Sequence, residues 1–223
     1  MTIDKVTNGF LALPAGGAGD AVGAPETVLV LHAWWGLNDD VRDLCRRLAG
    51  EGFVAFAPDL YGGGAAQWPV AATIPDAETL RDALDADPGP AEAALDAALA
   101  FLAAYAPPER GIAVIGFSLG AWFACVAATE HPTVRRVVTF YGSGPRDPGA
   151  SQAAYLGHYA ADDDYEPAEE VAGLAEALRA AGRPVTFHTY PATGHWFFEP
   201  SRPEYDAAAA GLAWGRTVEF LKK

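Results

Sequence analysis

Short apolar runs, rich in valine, isoleucine and phenylalanine, alternate along the chain with longer segments in which leucine, valine and alanine recur at helical spacing. The short runs are TVLVLH (27–32), FVAFAP (53–58), IAVIGF (112–117), RVVTFYG (136–142), AAYLGHY (153–159) and VTFHTY (185–190). Most lack the strict apolar/polar alternation of a strand with one wet face, so they predict strands of a buried sheet. The longer segments, 38–52, 90–105, 119–131, 166–182 and 203–223, predict amphipathic helices. Asn38 is placed to cap the first, and Gly182 followed by Pro184 to end the fourth. Strand and helix in alternation specify an α/β fold, a mostly parallel, doubly wound sheet flanked by helices on both faces. NGFLALPAG (8–16) predicts an additional edge strand. Residues 61–90 and 142–152, dense in glycine, proline and aspartate, predict loops that could overhang a site, the first with a short helix around Pro75 to Leu84.

Composition narrows this picture. With 223 residues, 51% of them hydrophobic, the chain can bury a sizeable core, and a single domain over 1–223 is expected. No uncharged apolar run reaches the roughly 18 residues of a membrane span, and MTIDKVTNGF lacks the basic start and apolar core of a secretion signal. The chain therefore reads as soluble and cytoplasmic. Cys45 and Cys125 are neither a CxxC pair nor at metal-ligand spacing, so they read as buried thiols, and no metal site is predicted. Fifteen basic residues against 29 acidic give a formal charge of −14, which opposes nucleic acid and anionic membrane as partners. The same field disfavours small anionic substrates, although it is screened beyond roughly 8 to 10 Å, so a local arginine could override it.

The candidate chemistry begins at IAVIGFSLGAW, where Gly116-Phe117-Ser118-Leu119-Gly120 joins a buried strand to a helix. Four serines and 24 glycines over 223 positions would place Gly-x-Ser-x-Gly by chance roughly 0.05 times, before that context is required. Such a turn strains the serine backbone, and only glycine neighbours let strand and helix approach so closely. The bland alternative is a serine that merely caps the helix. As a nucleophile, Ser118 needs a histidine base oriented by an acid. Of five histidines, His131 sits at a helix end, His32 precedes the turn, and His158 and His188 lie in strands. His195, in ATGHWFFEP between the last strand and the last helix, is placed to be the base. GHYAADDDYEP offers Asp162, Asp163 and Asp164 as the acid, and three consecutive carboxylates cannot all point inward.

Together LHAWWGLND, FAPDLYG, GFSLGA, YAADDDYEP and ATGHWFF resemble the dienelactone hydrolase family of α/β-hydrolases, from about Gly9 to Leu221. The resemblance implies an α/β-hydrolase fold with no separate cap domain, and no cofactor. It selects Asp163, four residues before Pro167, as the acid beside Ser118 and His195. The oxyanion hole is expected from the backbone N–H of Leu119, just after the nucleophile, with that of Trp34 from the first loop, and the substrate site is expected to draw on Ala33, Trp35, Arg81, Trp196, Phe197 and Glu199.

Three departures stand out. The family commonly carries cysteine in the Gly-x-Cys-x-Gly turn and a glutamate after the first core strand that helps to ionise it. Here those positions are Ser118 and Ala33. A serine is activated only as its proton leaves, so a carboxylate beside it would repel the developing oxyanion. The family arginine four residues after the base, which grips a substrate carboxylate, is Glu199 here. Arg81 and Arg202 are the nearby substitutes, each more often a surface arginine. The reaction expected is hydrolysis of an uncharged or weakly anionic small-molecule ester or lactone through acyl-Ser118, by a monomer or homodimer. An acyltransferase with the same acyl-enzyme, and a non-catalytic binding module on the same fold, are the competing readings.

Overall fold

Two runs of five residues, Thr27–Leu31 (β2) and Val54–Pro58 (β3), are buried at every position, as continuous apolar patterning requires of strands covered on both faces. They pair in parallel, and Gly9–Ala12 (β1) adds the expected edge strand, antiparallel to β3, with Gly9 opposite Pro58 and Ala12 opposite Ala55. The structure, a computed structural model, describes residues 8–15, 26–63, 68–106, 109–145 and 147–223. The start of the chain, residue 16 of the expected edge segment, 64–67 of the first expected loop and Arg146 of the second lie outside the described residues. The chain divides into two compact units between Ile112 and Ala113.

In the first unit, Asp39–Gly50 (α1) connects β2 to β3. Asn38 caps it as predicted, its side chain accepting from the N–H of Val41 at 3.1 Å, and Asp39 and Asp40 place negative charge at the positive end of the helix. Within the region 61–90, the short helix expected around Pro75 to Leu84 is present and slightly longer. Ile74–Ala86 (α2) is opened by a capping box in which Thr73 and Asp76 satisfy each other's backbone N–H, and Gly89–Ala103 (α3) follows at once.

The second unit takes in Ile112–Phe117 (β4), again buried throughout, from Ala113 onward, and runs through Leu119–Glu130 (α4), Val134–Phe140 (β5), Ala154–Ala160 (β6), Ala168–Ala180 (α5), Val185–Tyr190 (β7) and Ala207–Leu221 (α6). Its strands lie side by side in the order β4-β5-β6-β7. β6 is parallel to both β5 and β7, so its carboxyl end and theirs lie at one edge. In an open α/β sheet that edge is where loops assemble a site. Gly182, at φ +73°, ends α5 as its position before Pro184 predicts. α6 starts four residues later than its pattern suggests, because Asp206 supplies the cap, its side chain accepting from Ala209 N–H at 2.8 Å. Among the described residues, no helix is long and apolar enough to cross a membrane.

Candidate active site

The turn after β4 is built by a contact that tolerates no side chain. A Cβ on Gly116 would lie 2.2 Å from the carbonyl oxygen of Gly120, so strand and helix can meet here only through glycine. Ser118, between them, is forced to φ 49° and ψ −112°, a region a serine adopts only under constraint. Two further contacts hold it. Its N–H donates to the carbonyl of Phe140 at the end of β5 (2.9 Å), and Gly142 packs so closely that a Cβ there would meet the Ser118 carbonyl oxygen at 2.6 Å. The helix-capping alternative fails, because the Ser118 hydroxyl makes no capping bond to α4. Ser118 Oγ lies instead 2.9 Å from His195 Nε2.

On its other side, His195 Nδ1 meets Asp163 at 2.7 Å (Oδ1) and 2.9 Å (Oδ2). Oδ1 of Asp163 also accepts the N–H groups of Tyr165 and Glu166, both at 2.9 Å, so the carboxyl is fixed by its own loop before it receives the imidazole. With two N–H groups already donating to Asp163, Nδ1 carries the ring proton, and Nε2 is left as the acceptor facing the Ser118 hydroxyl. The His195 and Asp163 side chains are only 4% and 7% exposed, which strengthens each of these bonds. Asp162 and Asp164 are exposed, resolving which of the three carboxylates turns inward. Leu119 opens α4, where its N–H has no carbonyl of the helix within reach.

Sequence reasoning expected Trp196 at the site but missed the two tyrosines beside the imidazole. Tyr141 and Tyr165 lie with ring centres 5.0 Å and 5.1 Å from the imidazole, and Trp196 meets it edge-on at 5.1 Å. The signal of the tyrosines was position alone, since Tyr141 directly follows β5 at the sheet edge where sites form and Tyr165 comes two residues after Asp163. Glu166 was missed as well. Its carboxyl is pushed up first by burial and also by the charge of Asp163, while the side-chain and backbone hydrogen bonds of Ser143 and the charge of His195 hold it down.

Two of the expected substrate-binding residues are engaged within the fold. Phe197 has no exposed surface and packs between Tyr190 (5.0 Å) and Tyr141 (5.7 Å), which makes it a support within the fold. Glu199 is buried at 5% exposure and accepts the Tyr141 hydroxyl at 2.7 Å, so its carboxyl is turned inward. Arg202 Nε donates to Ser201. Ala33, Trp34, Trp35 and Arg81 belong to the first unit. There Trp34 and Trp35 pack edge to face at 5.6 Å, the carbonyl of Trp34 accepts the Tyr61 hydroxyl at 2.8 Å, and Ala33 is buried. Arg81 is half exposed and pairs with Asp85 along α2. His32 is fixed within that unit as well, Nε2 accepting the N–H of Leu60 and Nδ1 donating to the carbonyl of Ala33, with burial holding its pKa down.

A sheet flanked by helices, with serine, histidine and aspartate meeting at its carboxyl edge, defines the class as α/β-hydrolase. The dienelactone hydrolase family model matches residues 11–223, and the chain belongs to that family. It is 28% identical to a protein named "Putative carboxymethylenebutenolidase" from Escherichia coli, over 99% of this chain and 88% of the other. It is 30% identical to one of the same name from Methylorubrum extorquens, over 99% and 78%. A crystal structure described as a dienelactone hydrolase from Klebsiella pneumoniae superposes with a TM-score of 0.76 at 28% identity, covering 92% of this chain and 90% of that one. The chain is thus a hydrolase of the α/β fold.

Proposed function

We propose that the protein hydrolyses a carboxylic ester or lactone through a covalent acyl-Ser118 intermediate, with His195 as base and Asp163 as its orienting acid. The observation that carries this reading is the unbroken run of short contacts, Ser118 Oγ to His195 Nε2 at 2.9 Å and Nδ1 to Asp163 Oδ1 at 2.7 Å. As Oγ attacks the carbonyl carbon, its proton passes to Nε2, and Asp163 stabilises the imidazolium that forms. The carbonyl oxygen gathers negative charge, for which the Leu119 N–H is the donor supplied by the second unit; the second expected donor, the Trp34 N–H, belongs to the first. Collapse breaks the bond to the alkoxy oxygen, which leaves with the proton from Nε2. Water then gives a proton to the same nitrogen and attacks the acyl carbon; the acid is released and Ser118 recovers its hydroxyl.

Glu199 stands where family members hold a substrate carboxylate with arginine, and its carboxyl is engaged with Tyr141. This supports an uncharged acyl group as substrate. The test is labelling with a fluorophosphonate followed by mass spectrometry, together with turnover of 4-nitrophenyl acetate against a dienelactone. The expected outcome is an adduct on Ser118 and a preference for the neutral ester. Ser118→Ala should lower kcat by about 10⁶-fold, and a native protein that leaves Ser118 unlabelled would favour a binding module.

A further inference from the structure

Tyr141 is held in a conformation that its side chain opposes. Its φ of 36° lies in the left-handed region, which is costly for a bulky residue and persists only when surrounding contacts impose it. The contacts are specific. Its neighbour Phe140 accepts the Ser118 N–H, its own N–H donates to the His158 carbonyl at 2.8 Å, and Gly142 lies against the Ser118 backbone. The wholly buried ring is pressed between Phe197 and His195, 5.0 Å from the imidazole centre. Its hydroxyl donates to Glu199 Oε1 at 2.7 Å.

We propose that Glu199 is a positioning residue for His195, acting through the Tyr141 ring. The inference rests on the reading of Ser118 and His195 given above. The hydrogen bonds to Ser118 and Asp163 fix the two ends of the imidazole, leaving rotation about the line between them to be limited by what lies against its faces. Tyr141 and Tyr165 lie tilted against it while the buried Trp196 meets it edge-on; of the two tilted rings Tyr165 is 47% exposed, whereas Tyr141 is fully enclosed. The enclosed ring is the stiffer stop, and its free end is tied by Glu199. The tie is local to the base loop. Phe197 and Glu199 N–H groups donate back to Gly194 and Trp196, a tight winding that brings Glu199 beneath the histidine it follows by four positions. A buried carboxyl is costly unless its oxygens are bonded, and here one of them is spent on holding a phenol beside the base.

The experiment measures kcat and KM for 4-nitrophenyl acetate in Tyr141→Phe, Glu199→Ala and Glu199→Gln, with reactive sites counted by exhaustive fluorophosphonate labelling of Ser118. Loss of the tie in Tyr141→Phe and Glu199→Ala should lower kcat per labelled site by about 10- to 100-fold. KM should stay within about twofold, since substrate contacts are unchanged. Glu199→Gln keeps an acceptor oxygen and should recover kcat to within about threefold of the parent. Unchanged kcat in both Tyr141→Phe and Glu199→Ala, a change confined to KM, or a Gln variant as impaired as the Ala variant would overturn the proposal. Absence of labelling in the parent protein would instead remove the reading of Ser118 on which it rests. Tyr141→Phe deletes one oxygen and keeps the ring that packs the fold, so it decides the matter even where Glu199→Ala does not fold.

Discussion

Two buried histidines of the second unit, His158 and His195, show how partners decide what an imidazole can do. His158, on β6, has no exposed surface, with Nδ1 2.8 Å from the Tyr190 hydroxyl and Nε2 3.0 Å from Thr217 Oγ1. Arg216 donates to Tyr190 and stacks over its ring, so the tyrosine proton is directed to His158 Nδ1 and the imidazole is locked neutral. Burial first, then the charges of His188 and Arg216, lower its pKa to about 3. His195 is nearly as buried, yet one nitrogen faces a carboxyl and the other a serine hydroxyl on a strained turn. Two hydroxyls make a histidine part of the scaffold, whereas a carboxyl on one nitrogen leaves the other turned as an acceptor towards a serine hydroxyl.

The sharpest way to break the contrast is to make the partners of His195 resemble those of His158. Asp163→Asn replaces the carboxyl with a neutral amide that can present a donor to Nδ1, favouring the wrong tautomer, and kcat for 4-nitrophenyl acetate should fall by about 10⁴-fold. A fall of less than tenfold would show that the carboxyl does not set the state of His195.

The next effect is on stability rather than rate. An unfolded histidine takes its proton near pH 6.5, while folded His158 refuses it down to about 3. The unfolded chain therefore binds more protons throughout that window. The stability contributed by a neutral His158 is complete above the unfolded value and is lost as the pH falls towards the folded one, at up to ~1.4 kcal/mol per pH unit. Urea unfolding from pH 7 to pH 4 should show this slope in the parent, and His158→Leu should show a shallower one. His32, whose pKa is also lowered by burial, contributes to both, so the difference between the proteins is the measurement. Per folded molecule, kcat at pH 7 should stay within about threefold.

The smallest expected change comes from Tyr190→Phe, which removes the hydrogen bond to His158 and the one from Arg216 and should cost about 1 to 2 kcal/mol in urea unfolding. Its kcat should be that of the parent. A large loss of rate would show that the two histidines are not separate in function.

Much of the architecture and of the serine, histidine and acid could be read from sequence, because each depends on local pattern. Buried strands announce themselves as apolar runs, and Gly116, Ser118 and Gly120 lie within five positions. His195 follows from the order of loops along the chain, which also brings the acid to residues 162–164; the family resemblance singles out Asp163 among the three. Tyr141, Tyr165 and Glu166 carry no such mark. They matter through contacts between the turn after β5, the acid loop and the base loop, which are distant in sequence. Glu199 was visible as a departure from family pattern, but its inward orientation depends on the tight winding after His195 and on the tyrosine hydroxyl it accepts.

The bond from Ser118 N–H to the Phe140 carbonyl has a consequence for how the protein fails. It anchors the reactive turn to β5, whose four closing residues Val137, Val138, Thr139 and Phe140 are all essentially inaccessible to solvent. Releasing the serine from its geometry means parting adjacent strands of the sheet, and such a rupture belongs to the highest-energy openings of a domain. The turn after β4 is thereby tied to a part of the sheet that opens only at high energy, and the strained geometry of Ser118 endures for as long as the sheet itself.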